Sequence, residues 1–430
     1  MPDPSSLFGP AAAGWKRLCH NRSVTPNRRV LITGMGAVTS IGASLSVFWK
    51  NLLAGVCGIR PIALFDPSAY RTQTAGEVLG IPDAFLTPSE RRRMSRADRM
   101  GVAAAREALA ASGLDLSRED PSRLGVILGG GTSGLIDSET FFDMYLRGRR
   151  ARPSKVLNHL PDSITDRIAQ RFGFEGIKST ITTACSSSAN AMGYAFDAIR
   201  AGLADVVVTG GSDVLARLTY GGFNSLRSVD PEPCRPFDRE RKGLSIGESA
   251  GILVFEEEER ARKRGAPVIA EFLGYGVTSD AFHMTAPDPS GTAGGRTIKA
   301  ALENAGVNPE DVDYVNAHGT ATPQNDSAET AALKAGLGVR ARQIPVSSIK
   351  SMIGHCLCAS GAIEAVATAL SVRDGKVPPT IHYENPDPAC DLDYVPNVAR
   401  DADVDVALSN SFAFGGNSSV VVLARYGERG

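Results

Sequence analysis

Ser179-Thr180-Ile181-Thr182-Thr183-Ala184-Cys185-Ser186-Ser187-Ser188-Ala189 is the stretch around which the chain organises. Residues 179–182 predict a short strand, and the small residues after Cys185 open an alanine-rich helix. A cysteine at such a turn faces unpaired backbone N–H groups and the positive end of the helix dipole, and both favour thiolate over thiol. Small neighbours (Ala184, Ser186, Ser187, Ser188) leave room for an acyl group. Taken without its surroundings, the same residue reads as a buried thiol serving as a small hydrophobe. The second half repeats the theme in Gly354-His355-Cys356-Leu357-Cys358-Ala359-Ser360-Gly361-Ala362, again a turn into a small-residue helix.

Outward from these turns, short apolar runs occur at 30–34, 124–128, 206–209, 252–255, 268–273, 312–316 and 420–423. Alanine-rich stretches with helical spacing alternate with several of them, at 97–112, 189–201, 294–305 and 361–372. Continuous apolar strands alternating with helices predict an α/β fold whose sheets are covered on both faces. Glu256-Glu257-Glu258-Glu259-Arg260 and Arg262-Lys263-Arg264-Gly265 predict a solvated helix joining two halves, although a surface helix inside one continuous domain fits them too. The resulting division is a flexible tail over 1–28, a first half over 29–265 and a second over 266–430.

The 430 residues are 43% hydrophobic and 22% charged, which excludes disorder, collagen and coiled coil as whole-chain descriptions. Forty-six Lys+Arg against forty-seven Asp+Glu leave a formal net charge of −1, so nothing global points to nucleic acid or an acidic membrane surface. No apolar run approaches the ~18 residues needed to span a bilayer. The seven cysteines (Cys19, Cys57, Cys185, Cys234, Cys356, Cys358, Cys390) are scattered and contain no CxxC pair, which fits a reducing cytoplasm better than a disulfide framework. Arg17, Arg22 and Arg28 give the tail the basic bias of a transit peptide, but Pro2, Pro4, Pro10 and Pro26 interrupt any amphipathic helix and favour a solvated tail.

Two of the six histidines sit in glycine-flanked turns like that of Cys185. His318 lies in Asn316-Ala317-His318-Gly319-Thr320-Ala321-Thr322-Pro323, directly after a predicted strand, and His355 stands at the mouth of the second helix. Each alone reads as a structural histidine; together they point to two imidazoles converging on a thiol. Five segments in order then carry a resemblance: Thr183 with its cysteine turn, Arg235-Pro236-Phe237-Asp238 with Gly247-Glu248-Ser249-Ala250-Gly251, the His318 turn, 350–364, and Asn410-Ser411-Phe412-Ala413-Phe414-Gly415-Gly416-Asn417. From about Arg29 to Leu423 the chain resembles the elongating, type II β-ketoacyl-acyl-carrier-protein synthases, of the thiolase-like fold with duplicated α-β-α-β-α layers.

That resemblance implies an acyltransferase in which Cys185 takes an acyl group from a carrier protein's phosphopantetheine arm, with an oxyanion hole from the backbone N–H groups of Cys185 and Phe414. His318 and His355 would stabilise the enolate-like charge as a malonyl group loses carbon dioxide, and Lys350 would bias the local charge, supported by Glu329, Glu364 and Asp326. It further implies that Thr320 and Thr322 grip the arm, that Phe414 with Gly415 gates the acyl channel, and that Thr132, Phe223 and Phe412 line the acyl pocket. Arg92, Arg93, Arg150, Arg152 and Arg227 would face an acidic acyl carrier protein. A homodimer pairing a strand near Thr180 across a two-fold axis is expected, or a heterodimer with a related chain-length partner.

The chain departs from the family pattern at Ala413, which replaces a glycine before the gate, and at Cys358, which replaces another. It also carries Asn417 for a common threonine, Thr132 for a larger aliphatic residue, and an unusual stretch over 141–163. Alanine at 413 predicts a gate loop with less freedom. No cofactor or metal is expected: a zinc site needs about four ligands, and His355, Cys356 and Cys358 have no second cluster to complete one. Gly34, Gly36 and Gly42 do not form GxGxxG, which argues against a dinucleotide site. The alternatives are a thiolase acting on coenzyme A thioesters, where a second cysteine would stand at the position of His355, and a non-catalytic chain-length partner, which would lack Cys185.

Overall fold

Ten strands form the core of the computed structural model, which describes residues 28–427. The first five are β1 (Val30–Val38), β2 (Leu124–Gly129), β3 (Lys178–Ile181), β4 (Val206–Asp213) and β5 (Ser249–Glu257). They lie in the order β1-β5-β4-β2-β3, antiparallel across the first two pairs and parallel across the last two. The second five are β6 (Ala270–Ser279), β7 (Tyr314–Asn316), β8 (Val346–Ser347), β9 (Val406–Phe412) and β10 (Asn417–Ala424). Their order, β6-β10-β9-β7-β8, and their pairing directions copy the first set with each number raised by five. Antiparallel bridges between Val30–Ile32 of β1 and Ala270–Phe272 of β6 join the two sets into one hydrogen-bonded sheet.

Sequence explains the layering. Helix α1 (Arg96–Ser112) starts at Ser95, whose hydroxyl accepts from the Asp98 N–H while Asp98 reaches back, and ends at Gly113 with φ 67. Its alanines let β1 approach closely: a Cβ on Gly36 would lie 2.0 Å from the Ala104 carbonyl oxygen, so only glycine fits there. Helices α2 (Ser187–Arg200), α3 (Thr292–Ala305), α4 (Pro323–Leu337) and α5 (Ser360–Asp374) complete the frame. Both α2 and α5 contact strands of both halves, and every residue of α5 from Ser360 to Val372 is buried. A helix apolar or small on all sides belongs between two layers. Helices α3 and α4 cover the outer face of the second half, as α1 covers that of the first.

Three local readings change. The predicted joining helix is shorter, Glu258–Lys263, because Glu256 and Glu257 complete β5; Glu256 is buried and paired with Arg260 and Arg264. Arg28, placed at the end of the tail, docks on the fold through Asp205 at 3.1 Å and the Ile199 carbonyl at 3.1 Å; the rest of the tail, 1–27, lies outside the described residues. Strands β8 and β9 were not among the predicted runs.

Candidate active site

The chain folds so that the turn between β3 and α2, the turn after β7 and the turn into α5 open on one cavity. Cys185 sits between β3 and α2 after Ala184, whose φ of 49 is left-handed. That conformation costs an L residue about 1–2 kcal/mol, and the serines of the motif hold it. Ser187 Oγ accepts from the Thr183 N–H at 2.9 Å and donates to the Ala184 carbonyl, while Ser186 Oγ donates to the Thr183 carbonyl at 2.9 Å. The serines therefore brace the elbow as well as leaving space. Cys185 is only 7% exposed. Burial pushes its thiol up to about 11, against the opposing pull of the Lys350 ammonium and the Phe414 N–H. Desolvation outweighs those two pulls and biases the resting group toward the thiol.

His318 follows β7, and a carboxylate holds its backbone: Glu329 accepts from the His318 N–H at 2.8 Å and from the Gly319 N–H at 2.7 Å. Asn410 of β9 donates to the same carboxylate at 3.0 Å. The Lys350 ammonium lies 3.3 Å from His318 Nδ1, which must accept, leaving the proton on Nε2. His355 reaches the same state differently. Its Nδ1 accepts from the Leu357 N–H at 3.2 Å and lies 2.8 Å from the Ser360 hydroxyl, so Nε2 again carries the proton. The two rings stand 5.3 Å apart at 87°. Burial first, and then the Lys350 charge, hold both imidazoles well below the ordinary histidine value, so both are neutral donors. Lys350 is ion-paired with Glu364, each side chain 1% exposed. Burial raises the Glu364 carboxyl to about 7 against the pull of Lys350.

Cys185, His318 and His355 line one cavity of about 90 Å³, together with Thr320, Thr322 and Phe414. Phe223 and Phe412 also line it; Phe223 stacks on Phe414 at 5.6 Å, and Phe412 lies 6.2 Å from the His318 ring. Phe414 begins a short turn in which Gly415 and Gly416 have φ of 78 and 74, and the Gly415 N–H donates to the Met284 carbonyl at 2.8 Å. Ala413 has φ −111, ordinary extended backbone, so the left-handed freedom of this turn resides in the two glycines. Glu329 also borders the cavity, while Asp326 accepts from the Ala321 N–H beneath it at 3.1 Å.

Other predicted residues stand apart. Thr132 is not on the cavity wall; its N–H donates to Asp213 at 3.0 Å, and its hydroxyl bonds the same carboxylate. Asp213 also accepts from the Cys358 N–H at 3.0 Å, so two residues that depart from the family pattern share one buried carboxylate. Arg92, Arg93, Arg150, Arg152 and Arg227 are all exposed, and among the described residues none of them forms an ion pair. The segment between β6 and α3 was missed: Asp280, His283, Thr285 and Asp288 line the cavity. Its available signal was His283 beside Phe282 in a polar loop following a strand.

The "Beta-ketoacyl synthase, N-terminal domain" family matches residues 27–261, and its C-terminal counterpart matches residues 269–384. The chain belongs to the β-ketoacyl synthase family. Relatives agree along its length. It is 42% identical over 413 residues to the 3-oxoacyl-[acyl-carrier-protein] synthase 2 of Staphylococcus aureus (strain COL), covering 94% of this chain and 100% of that protein. The Synechocystis protein of the same name is 41% identical over 409 residues, covering 93% and 98%. Among solved structures, the ishigamide ketosynthase/chain length factor superposes with a TM-score of 0.88 at 36% identity, covering 93% of this chain and 100% of that one. A type II ketosynthase in complex with its acyl-carrier protein, AntDE:AntF, gives 0.86 at 33% identity, covering 93% and 100%. The thiolase-like fold follows from both ketosynthase structures.

Proposed function

We propose that this synthase extends a Cys185-bound acyl chain by two carbons through decarboxylative Claisen condensation with a malonyl thioester on an acyl carrier protein. One observation carries the reading: two neutral imidazoles, each with its proton on Nε2, share a cavity with a buried thiol. In the first half-reaction Cys185 Sγ attacks the acyl thioester carbonyl. The new C–S bond forms, the pantetheine sulfur leaves, and it takes up the thiol proton. The Phe414 N–H, already directed at Sγ, would serve the oxyanion with the Cys185 N–H.

A malonyl group then occupies the histidine side. Its carboxylate carbon–carbon bond breaks, carbon dioxide departs, and the electron pair spreads onto the thioester oxygen, where His318 and His355 donate from Nε2. Neutral donors suit this step, since the charge arrives without a proton. The carbanion attacks the acyl-Cys185 carbonyl, a carbon–carbon bond forms, and Cys185 leaves as thiolate, later to be reprotonated. Lys350 is the fixed cation that orients His318, and Glu364 balances it.

Fatty-acid or specialised polyene and polyketide synthesis both fit, and the reaction needs no bound cofactor. Membership of a cytoplasmic pathway is part of the proposal; among the described residues no helix is long and apolar enough to cross a membrane. The exposed arginines would receive the acidic carrier. Edge strand β3 has one neighbour in the sheet and is half-exposed, which supports dimerisation through it, with a second copy or with a ketosynthase-like chain-length partner. Incubating the purified protein with acyl-carrier and malonyl-carrier substrates tests the reading: a β-ketoacyl-carrier product two carbons longer is expected, and carbon dioxide release without it would refute condensation.

A further inference from the structure

The turn Thr320-Ala321-Thr322 turns two hydroxyls to the cavity, 3.0 Å apart, on a backbone that L residues disfavour: Ala321 has φ 67. Its N–H donates to Asp326 Oδ1 at 3.1 Å, and Asp326 Oδ2 accepts from the Phe237 N–H at 2.7 Å, another residue in the left-handed region with φ 65. Asp326 is fully buried, so a charge on it needs a partner. Arg241 is that partner. Its Nε lies 3.8 Å from Asp326 Oδ2, and its Nη2 donates at 3.3 Å to the carbonyl of Pro323, the first residue of α4. Nη1 donates to the Asp238 carbonyl at 2.9 Å and to the Asp387 carboxylate. Arg241 is 7% exposed, its buried Nε makes no hydrogen bond, and it does not touch the cavity.

We propose that Arg241 is a positioning residue for the substrate's pantetheine arm: with its cation set beside Asp326 and its Nη2 bonded to the Pro323 carbonyl, it braces the strained turn and fixes the Thr320 and Thr322 hydroxyls. This rests on the condensing reading of the site and adds to it a role for the Arg235-Pro236-Phe237-Asp238 region, which supplies no reacting group. Phe237 and Arg241 come from one segment and both reach Asp326 Oδ2. The segment after β4 therefore sets the geometry of a turn some eighty positions later in the chain.

The test compares two reactions of Cys185, acylation by acyl-pantetheine, which uses the arm, and alkylation by iodoacetamide, which does not. Arg241→Gln removes the cation beside Asp326 and the Nη2 bond to the Pro323 carbonyl, so the half-saturating concentration of acyl-pantetheine should rise about tenfold while the iodoacetamide rate stays within about twofold. Arg241→Lys keeps the charge without the fork and should fall between. Thr320→Val should raise the half-saturating concentration in the wild type but add little on either Arg241 background, the non-additivity expected of one coupled unit. If the Gln variant does not fold, the Lys variant and its double carry the test. A lowered melting temperature with an unchanged acyl-pantetheine requirement, or full additivity with Thr320→Val, would overturn the positioning role alone. A wild type that acyl-pantetheine does not acylate at Cys185 would instead overturn the condensing reading, and this proposal with it.

Discussion

His318→Ala should nearly abolish malonyl decarboxylation while sparing acylation of Cys185. The substitution removes one of two Nε2–H donors from a buried site, where each preorganised donor contributes about 2.7–4 kcal/mol, or a factor of about 100 to 1,000 in rate. The scaffold should survive, because the contacts that shape this turn belong to the backbone: Glu329 still accepts from the N–H groups of residues 318 and 319. Lys350 loses its contact with Nδ1 at 3.3 Å but keeps Glu364, so no buried charge is stranded. Acylation draws on Cys185 and the Phe414 N–H and should change by less than about tenfold, the loss of an uncharged neighbour. Carbon dioxide released from malonyl-carrier measures the first reaction, and intact-protein mass after exposure to acyl-carrier measures the second. A variant that melts with the wild type yet decarboxylates within about threefold of it would remove His318 from the chemistry. Parallel loss of both activities would assign it a structural role.

Further outcomes follow from the same geometry. Reversing Arg149, Arg150 and Arg152 to Glu should weaken turnover of carrier-bound substrates and leave small thioesters unaffected; equal loss on both would rule out docking there. Because burial and Lys350 hold both imidazoles well below 6.5, the ring NMR resonances of His318 and His355 should not titrate as pH falls through that value; a midpoint near 6.5 in either ring would show an imidazole of ordinary basicity. At the gate, Ala413→Gly should alter acylation rates little, since Ala413 is already in extended backbone. Gly416→Ala should impair acylation strongly, because its Cβ would lie 1.9 Å from Asp280 Oδ1 at a φ of 74. Equal effects of the two, read from acyl-carrier kinetics, would place the pivot elsewhere.

What the sequence disclosed is the set of turns. The short runs before Cys185 and His318 marked where strands end, and the glycine-flanked, small-residue turn into α5 marked the place of His355. Strand β9 escaped because its interior is Ser409-Asn410-Ser411, polar side chains that are nonetheless buried; Asn410 is there to reach Glu329. Strand β8 has only two residues, too few for any periodicity. At Cys185 the helix N-terminus is visible in sequence, whereas the burial that pushes its thiol up is not. Thr132 likewise looked like pocket lining until Asp213, eighty-one positions away, claimed its hydroxyl. In each case the missing information was a contact between segments distant in the chain.

Intact-protein and peptide mass spectrometry in a pulse and chase would interrogate the shared cavity itself. A pulse of acyl-carrier should add one acyl mass, mapped to Cys185, and a chase with malonyl-carrier should erase it as a β-ketoacyl-carrier appears. An acyl mass on any other residue, or one on Cys185 that the malonyl chase leaves in place, would contradict the thiol and the two imidazoles acting as one centre.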